Sequence, residues 1–201
     1  SRRGAQMIML ADWHPDIIEF IISKMQNPKI LQFLINNLTD PDIIKEAKEK
    51  LKFTPLSKED IEIYESLIDV EKHKPGFFTK EPYNKAINTL KDQGTYSVNN
   101  PEFLSGANIS VAITKEFMEA VEKNEDYQLR YPDIDNYSQG EKAAYDEKWH
   151  TVGDVRTWEE MGYTIKVHKT IKARELWNLI NICASYSAEP GIFFFDNAND
   201  M

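Results

Sequence analysis

The chain has 201 residues, 24 Lys plus Arg against 33 Asp plus Glu, a net charge of −9, and 41% hydrophobic side chains. That is enough apolar material for one folded domain or a large part of one, while the negative balance opposes an extended phosphate backbone, so no nucleic acid is expected as a partner. One cysteine, Cys183, excludes an internal disulfide and any paired-cysteine metal or redox motif, and is consistent with the cytoplasm. No apolar run approaches the roughly 20 residues that span a bilayer, and the N-terminus is not a signal peptide, so no membrane partner is expected either.

Met7 to Leu10 is a short apolar run that reads as a strand, and it passes without a linker into a helix at His14-Pro15-Asp16. Pro15 suits the first helical position, where a missing N–H costs nothing, and Asp16 faces the positive end of the helix dipole. Ile17, Ile18, Ile21, Ile22 and Met25 then fall on one face. The basic, glycine-containing loop before this strand-helix unit is where α/β units usually keep ligands.

Asn27-Pro28 should interrupt the first helix, after which Ile30, Leu31, Leu34, Ile35 and Leu38 line a second. Asp40-Pro41 starts another, carrying Ile43, Ile44, Ala47 and Leu51. Ser57-Lys-Glu-Asp60 is a capping box for a helix with Ile61, Tyr64, Leu67 and Ile68 on its apolar side, closed by Lys74-Pro75-Gly76. Pro82 opens the next, with Tyr83, Ala86, Ile87 and Leu90 in register and Gly94 placed to cap its end. Residues 30 to 93 therefore read as a helical insertion.

Ile109, Val111 and Ile113 alternate as a strand within Ala107 to Ile113, and Thr114 caps a helix holding Phe117, Met118, Ala120 and Val121. Tyr127 to Tyr131 reads as a short extended piece ended by Pro132, Ser138-Gln-Gly-Glu141 as a second capping box, and Gly153 and Gly162 as punctuation of a Trp-bearing loop. Tyr163, Ile165 and Val167 alternate again. Ala173, Leu176, Trp177, Ile180, Cys183, Ala184 and Ser187 form the longest helical stripe, stopped by Glu189-Pro190-Gly191. Ile192 to Phe195 is apolar enough to read as a strand buried on both faces of a parallel sheet. The order of elements makes α/β the fold class.

Few residues suggest chemistry by themselves. Asp12, His14 and Asp16 are explained as helix caps and dipole partners, and with no second His-rich segment no metal site is expected. His73, His150 and His168 stand isolated. Asn108 lies inside an apolar strand, where a buried amide needs partners, and Asp196 and Asn197 directly follow a strand, where α/β folds place ligands. An Asn locking a loop and an Asp capping a turn would serve as well. Cys183 reads as a small core residue. Arg2 and Arg3 read from the residues alone as a solvated pair, with guanidinium forks suited to a nucleotide, and Gly4 as a hinge or a point of close approach.

Four segments, RRGAQMIML-ADWHPDIIEFI, ANISVAITKEFMEAV, YDEKWHTVGDVRTWEEMGY and KARELWNLINICASYSAEPGIFFFDNAND, resemble consecutive blocks of the adenosylcobalamin-dependent (class II) ribonucleotide reductase catalytic chain. The resemblance covers nearly all of the chain and implies part of a ten-stranded α/β barrel with a helical insertion at about 30–93, the whole of 1–201 being a partial barrel domain. It implies reduction of ribonucleotides to deoxyribonucleotides by cobalamin-initiated radical chemistry in the intact enzyme. The family's Asn-x-Cys-x-Glu finger loop and its reducing cysteine pair are not present, and Cys183 matches no catalytic cysteine, so no catalytic residue is assigned and the piece alone is expected to be inactive. Arg2, Arg3, Gly4, Ala5 and Gln6 resemble the specificity loop between effector deoxynucleotide and substrate base, and Asn108, Asp196 and Asn197 are the candidates for the barrel mouth. Adenosylcobalamin is expected to bind the intact enzyme and not this piece. The implied partners are the remainder of the polypeptide, a ribonucleotide, a deoxynucleotide effector and, in a homodimer, a second copy. A non-enzymatic α/β interaction module on the same scaffold is the alternative, and a small hydrolase using Asp12, His14 or Asp196 a further one. The choice between diphosphate and triphosphate substrates is left open.

Overall fold

The computed structural model describes residues 6–77, 79–99 and 106–198, with the side chains of 197 and 198 left aside. In chain order the elements are β1 (Gln6–Ala11), α1 (Ile17–Ile22), α2 (Pro28–Asn37), α3 (Pro41–Lys50), β2 (Leu51–Pro55), α4 (Lys58–His73), α5 (Lys80–Asp92), β3 (Gly94–Val98), β4 (Ala107–Ile113), α6 (Lys115–Lys123), β5 (Asp126–Pro132), α7 (Gln139–Val152), α8 (Val155–Glu160), β6 (Ile165–Lys172), α9 (Ala173–Ser187), β7 (Gly191–Phe194) and α10 (Phe195–Ala198). The fold is mixed α/β. Among the described residues no closed barrel is formed: β1, β4 and β7 make a parallel sheet in the order β1-β4-β7, and two antiparallel pairs stand apart from it.

Helices cover one face of the parallel sheet along β4, while Ile8, Ile192 and Phe194 of the flanking strands stay exposed on that face and Ser110 and Ala112 are buried on the other. Ile109, Val111 and Ile113 are buried, and Val111 and Ile113 join one core with Ile17 and Ile21 of α1, Leu31 and Leu34 of α2, Ile43 of α3, Phe117 of α6, and Leu176 and Ile180 of α9. Each such side chain contributes about 1.5–3 kcal/mol relative to an exposed one. On the opposite face the register sets Met7 beside Asn108, Met9 beside Ser110 and Ala112 beside Phe193. Met7 is 67% exposed, and Met9 and Phe193 are 40% exposed.

β7 therefore departs from the expectation of a strand buried on both faces. It is an edge of the described sheet, and Ile192, Phe193 and Phe194 are all exposed. Its apolar composition reflects a surface that the described residues do not cover, the situation that edge strands normally avoid. Asn108 likewise is exposed, since it sits on the face opposite the helices near the start of β4.

Several local expectations hold and others shift. Asp40 caps α3 with its side chain, Ser57 and Ser138 form reciprocal capping boxes with Asp60 and Glu141, and Thr114 caps α6, while Asn27, expected only to interrupt the first helix, also caps α2. α1 is shorter than its apolar stripe suggested. Pro15 lies in the preceding turn, and Asp16 occupies the cap position without a side-chain bond, its N–H donating to His14 Nδ1 at 3.1 Å. The cap of α5 is Gln93, in the left-handed region at φ 57°, and Gly94 begins β3 because the Phe53 ring fills the space a Cβ would need. β6 does form where Ile165 and Val167 alternate, but it pairs antiparallel with β5 instead of extending the parallel sheet.

The stretch from 30 to 93 is not helical throughout. β2 pairs antiparallel with β3, bracketing an α4–α5 hairpin. α2 and α3 bury Ile30, Leu31, Leu34, Ile43 and Ala47 in the main core, whereas α4 buries no residue.

Candidate functional site at the strand ends

In a parallel sheet the carboxyl ends of the strands are where loops diverge and ligands bind. Here Asp12, Thr114 and Asp196 follow β1, β4 and β7, and the chemistry-bearing residues of the chain converge on them. A pocket of about 180 Å³ lies between the ends of β4 and β7, lined by Ile113, Thr114, Lys115, Met118, Phe194 and Asp196.

Asp12 is fully buried. Its carboxylate accepts from the Thr114 N–H at 2.6 Å, from the Thr114 hydroxyl at 3.0 Å and from the Tyr127 hydroxyl at 2.6 Å. The Thr114 hydroxyl oxygen also accepts from the Phe117 N–H at 3.1 Å, so a single network joins the end of β1, the start of α6 and the β5 strand. Burial pushes the Asp12 acid up to about 6, against the pull of the Tyr127 and Thr114 donors and of the Arg156 charge. Tyr127, buried beside this acid, is pushed well above the ordinary phenol range.

Arg156 of α8 reaches across to the same region. Its guanidinium donates from Nε and Nη2 to Asp154, at 3.1 and 2.7 Å, and from Nη1 and Nη2 to Asp196, at 3.1 and 2.9 Å. Asp196 in turn accepts from the Lys115 N–H at 2.6 Å, which fastens β7 to the first turn of α6. The hydrogen bonds from Arg156 hold the Asp196 acid below the usual carboxylate range, and those to Asp154 and Asp196 hold the guanidinium firmly protonated.

An aromatic wall stands beside β1. The rings of Trp13 and Tyr131 lie 6.5 Å apart, Tyr131 and Trp149 5.3 Å, and Trp149 and Trp158 5.6 Å. His14 sits 5.3 Å from Tyr131, half-buried, and desolvation lowers its pKa. Arg130, nearly buried, forks onto Glu116 at 2.8 and 2.9 Å, and its N–H donates to the Trp13 carbonyl at 2.8 Å.

Of the residues singled out from the sequence, Asp196 lies in this cluster and Asn197 follows it on α10. Asn108 lies towards the other end of β4, so it is not brought together with Asp196. Gln6 is the exposed first residue of β1, paired with Ala107, while Arg2, Arg3, Gly4 and Ala5 lie outside the described residues. Cys183 is fully buried, and burial pushes its thiol up to about 12, as a core residue requires. Asp12 does not cap α1; it is the centre of the buried network. Arg156 was not singled out at all, because one arginine in a polar helix carries no local signal.

Every buried side-chain polar atom among the described residues has a partner. Asp12 and Arg156 are therefore occupied in holding strand ends to helices, and the arrangement positions backbone more than it offers a free base or an open anion site. No group of three or more His, Cys, Asp or Glu side chains among the described residues could hold a metal ion. No helix among them is long and apolar enough to cross a membrane.

A parallel sheet with polar residues converging at the carboxyl ends of its strands is an α/β arrangement. The family profile of the ribonucleotide reductase barrel domain matches residues 1–201, and the chain belongs to that family, whose members are oxidoreductases. No curated protein matches the chain significantly.

Proposed function

We propose that residues 1–201 are part of the catalytic barrel of an adenosylcobalamin-dependent ribonucleotide reductase of the cytoplasm, inactive by itself and completed by the remainder of its polypeptide. The observation that carries this reading is the incompletely covered sheet: Ile109, Val111 and Ile113 of the middle strand are buried, while Met7 and Met9 of β1 and Ile192, Phe193 and Phe194 of the edge strand β7 are exposed. An exposed apolar surface of that kind suits the inner wall of a barrel, against which further strands and a central loop would pack.

Adenosylcobalamin is proposed as the cofactor of the intact enzyme and is not expected to bind this piece alone. No chemical step is assigned to this chain. Its own contribution is to fix the strand ends through Asp12, Thr114, Arg156 and Asp196. The loop of Arg2, Arg3, Gly4, Ala5 and Gln6 is assigned to contacts with the ribonucleotide base and the deoxynucleotide effector. Asn108 and Asn197 are retained as lining residues of the assembled barrel.

The test is ribonucleotide reduction by the full-length protein with a dithiol, with and without adenosylcobalamin. Turnover only in its presence supports the reading. Turnover that needs a separate radical-generating subunit would keep the reductase and remove the cobalamin class. In the same enzyme, Arg3→Ala or Gln6→Ala should reduce effector control of base choice by about 1–3 kcal/mol of coupling, because a loop couples two sites only through contacts that differ between effector states. Unchanged selectivity would withdraw the loop assignment.

A further inference from the structure

Lys50, the last residue of α3, is half-buried, and its Nζ donates to the carbonyl oxygens of Ile22, at 3.1 Å, and Ser23 at the end of α1. Two other enclosed lysines are neutralised by acids: Lys24 pairs with Glu189 at 2.7 Å, and Lys169 with Asp40 at 2.9 Å and Asp42 at 2.6 Å. Among the described residues no carboxylate pairs with Lys50, which is held by carbonyl oxygens alone. Two carbonyl acceptors match the two N–H bonds of a neutral amine, and its lone pair is then left free. Burial pushes the Lys50 amine down to about 8, with Cys183 of α9 pulling the other way. A cavity of about 260 Å³ adjoins this amine, lined with it by Glu19, Ile22, Ser23, Glu46, Glu49 and Asn99. Glu19, Glu49 and Asn99 are exposed, so the cavity opens to solvent. Its rim is acidic: Lys45 meets Glu49 only at 3.9 Å, and the Glu46 acid is raised by burial and then by the charges of Glu19 and Glu49.

We propose that Lys50 is a nucleophilic amine that captures small neutral aldehydes in this cavity as a protonated imine. The Nζ lone pair forms a bond to the carbonyl carbon, one N–H proton passes to the carbonyl oxygen, and a second proton from solvent releases that oxygen as water. The nitrogen lone pair then closes the C=N bond, and the step needs no oxidant or reductant. The rim selects the electrophile. Glu19, Glu46 and Glu49 oppose acyl phosphates and other anionic donors, and admit uncharged carbonyl compounds. The floor selects the adduct: the Ile22 and Ser23 carbonyls favour a product that keeps both an N–H and the positive charge, as a protonated imine does and a carbamate does not. The proposal does not rest on the reductase reading.

Propanal with cyanoborohydride, which reduces the imine to a stable secondary amine, tests it on the full chain with peptide mass spectrometry as the readout. At about pH 7, Lys50 should be alkylated at least about tenfold faster than the exposed Lys48 and Lys72, because a lysine with a lowered pKa carries far more of the neutral amine there than an ordinary one. That ratio should hold up to about pH 8, fall above it, and disappear in denaturing urea. Acetyl phosphate, an anionic acyl donor, should favour Lys50 less than propanal does, and combining Glu46→Gln with Glu49→Gln should close that gap. Equal alkylation of the three lysines, a ratio that does not fall above pH 8, or a preference that survives unfolding would each overturn the proposal. Acetyl phosphate favouring Lys50 as strongly as propanal does in the native chain would overturn the assignment to neutral aldehydes.

Discussion

The body around the parallel sheet and the α4–α5 hairpin are built from similar amphipathic helices, yet they hold together differently. α2 and α4 both begin with a side-chain cap and carry branched apolar residues at helical spacing, but α2 buries Ile30, Leu31 and Leu34 while α4 buries none. The difference lies in what each stripe meets. α2 lies on a core shared with α1, α3, α6 and α9, whereas α4 rests on one partner helix joined to the body through β2 and β3. An amphipathic pattern therefore specifies a helix and a face, while burial is set by the number of elements that converge on that face.

Leucine truncation should expose this contrast most strongly. Leu34→Ala in α2 removes a fully buried side chain and should cost about 2–5 kcal/mol, whereas Ile63→Ala in α4 should cost well under about 1 kcal/mol. Urea unfolding of both variants measures it, and equal losses would mean that the hairpin shares the core's cooperativity.

The strand ends should show a pH signature opposite in sign to that of the hairpin, where the Ser57 bonds hold the Asp60 acid low. The folded Asp12 acid, at about 6, lies above its ordinary value of 3.8, so its contribution to stability is present below about pH 4 and is lost as pH rises through about 6. Two pKa units correspond to about 3 kcal/mol. Carboxylates held low, such as Asp196 and Glu175, run the opposite way, so the informative quantity is native minus Asp12→Asn. That difference in unfolding free energy should fall between pH 4 and pH 7, and a flat difference would show that Asp12 titrates normally.

Arg156→Ala strands Asp154 and Asp196 beside each other and should cost about 2–4 kcal/mol, in the lower half of that range because the cluster is only partly enclosed. His73→Ala, which breaks an exposed pair with Asp69 on α4, should leave the unfolding midpoint unchanged. Tyr127→Phe is the mildest perturbation of the body. Loss of one donor to the Asp12 carboxylate should cost about 1–2 kcal/mol at pH 7 and less at pH 4, where the acid needs fewer donors.

Much of this was legible from spacing alone. The caps at Asp40, Ser57, Thr114 and Ser138 are short-range signals, readable because capping is a matter of a few consecutive N–H groups and one oxygen. The strand at Ala107–Ile113 was legible for the same reason. What failed depended on partners distant in sequence. Ile192 to Phe195 looks buried by composition, but exposure is decided by what packs above it, and Pro15 looked helical because the turn that holds it needs the His14 ring to accept from Asp16. Of the strand-end cluster, Asp196 could be placed from its position after a strand. Arg156 could not, since its two carboxylates are two and forty residues away, and the role of Asp12 depended on Thr114 and Tyr127, more than a hundred residues on.

The open face of the sheet also gives the molecule an unequal resistance to oxidants. Met7 and Met9 present their thioethers to solvent, while Met25 is sealed at 1% exposure. Peroxide should therefore convert the first two to sulfoxides well before the third, and anything that settles on the sheet should slow that conversion. The methionines of β1 thus act as a built-in chemical record of whether this wall of the domain is bare or covered, readable by mass without any label.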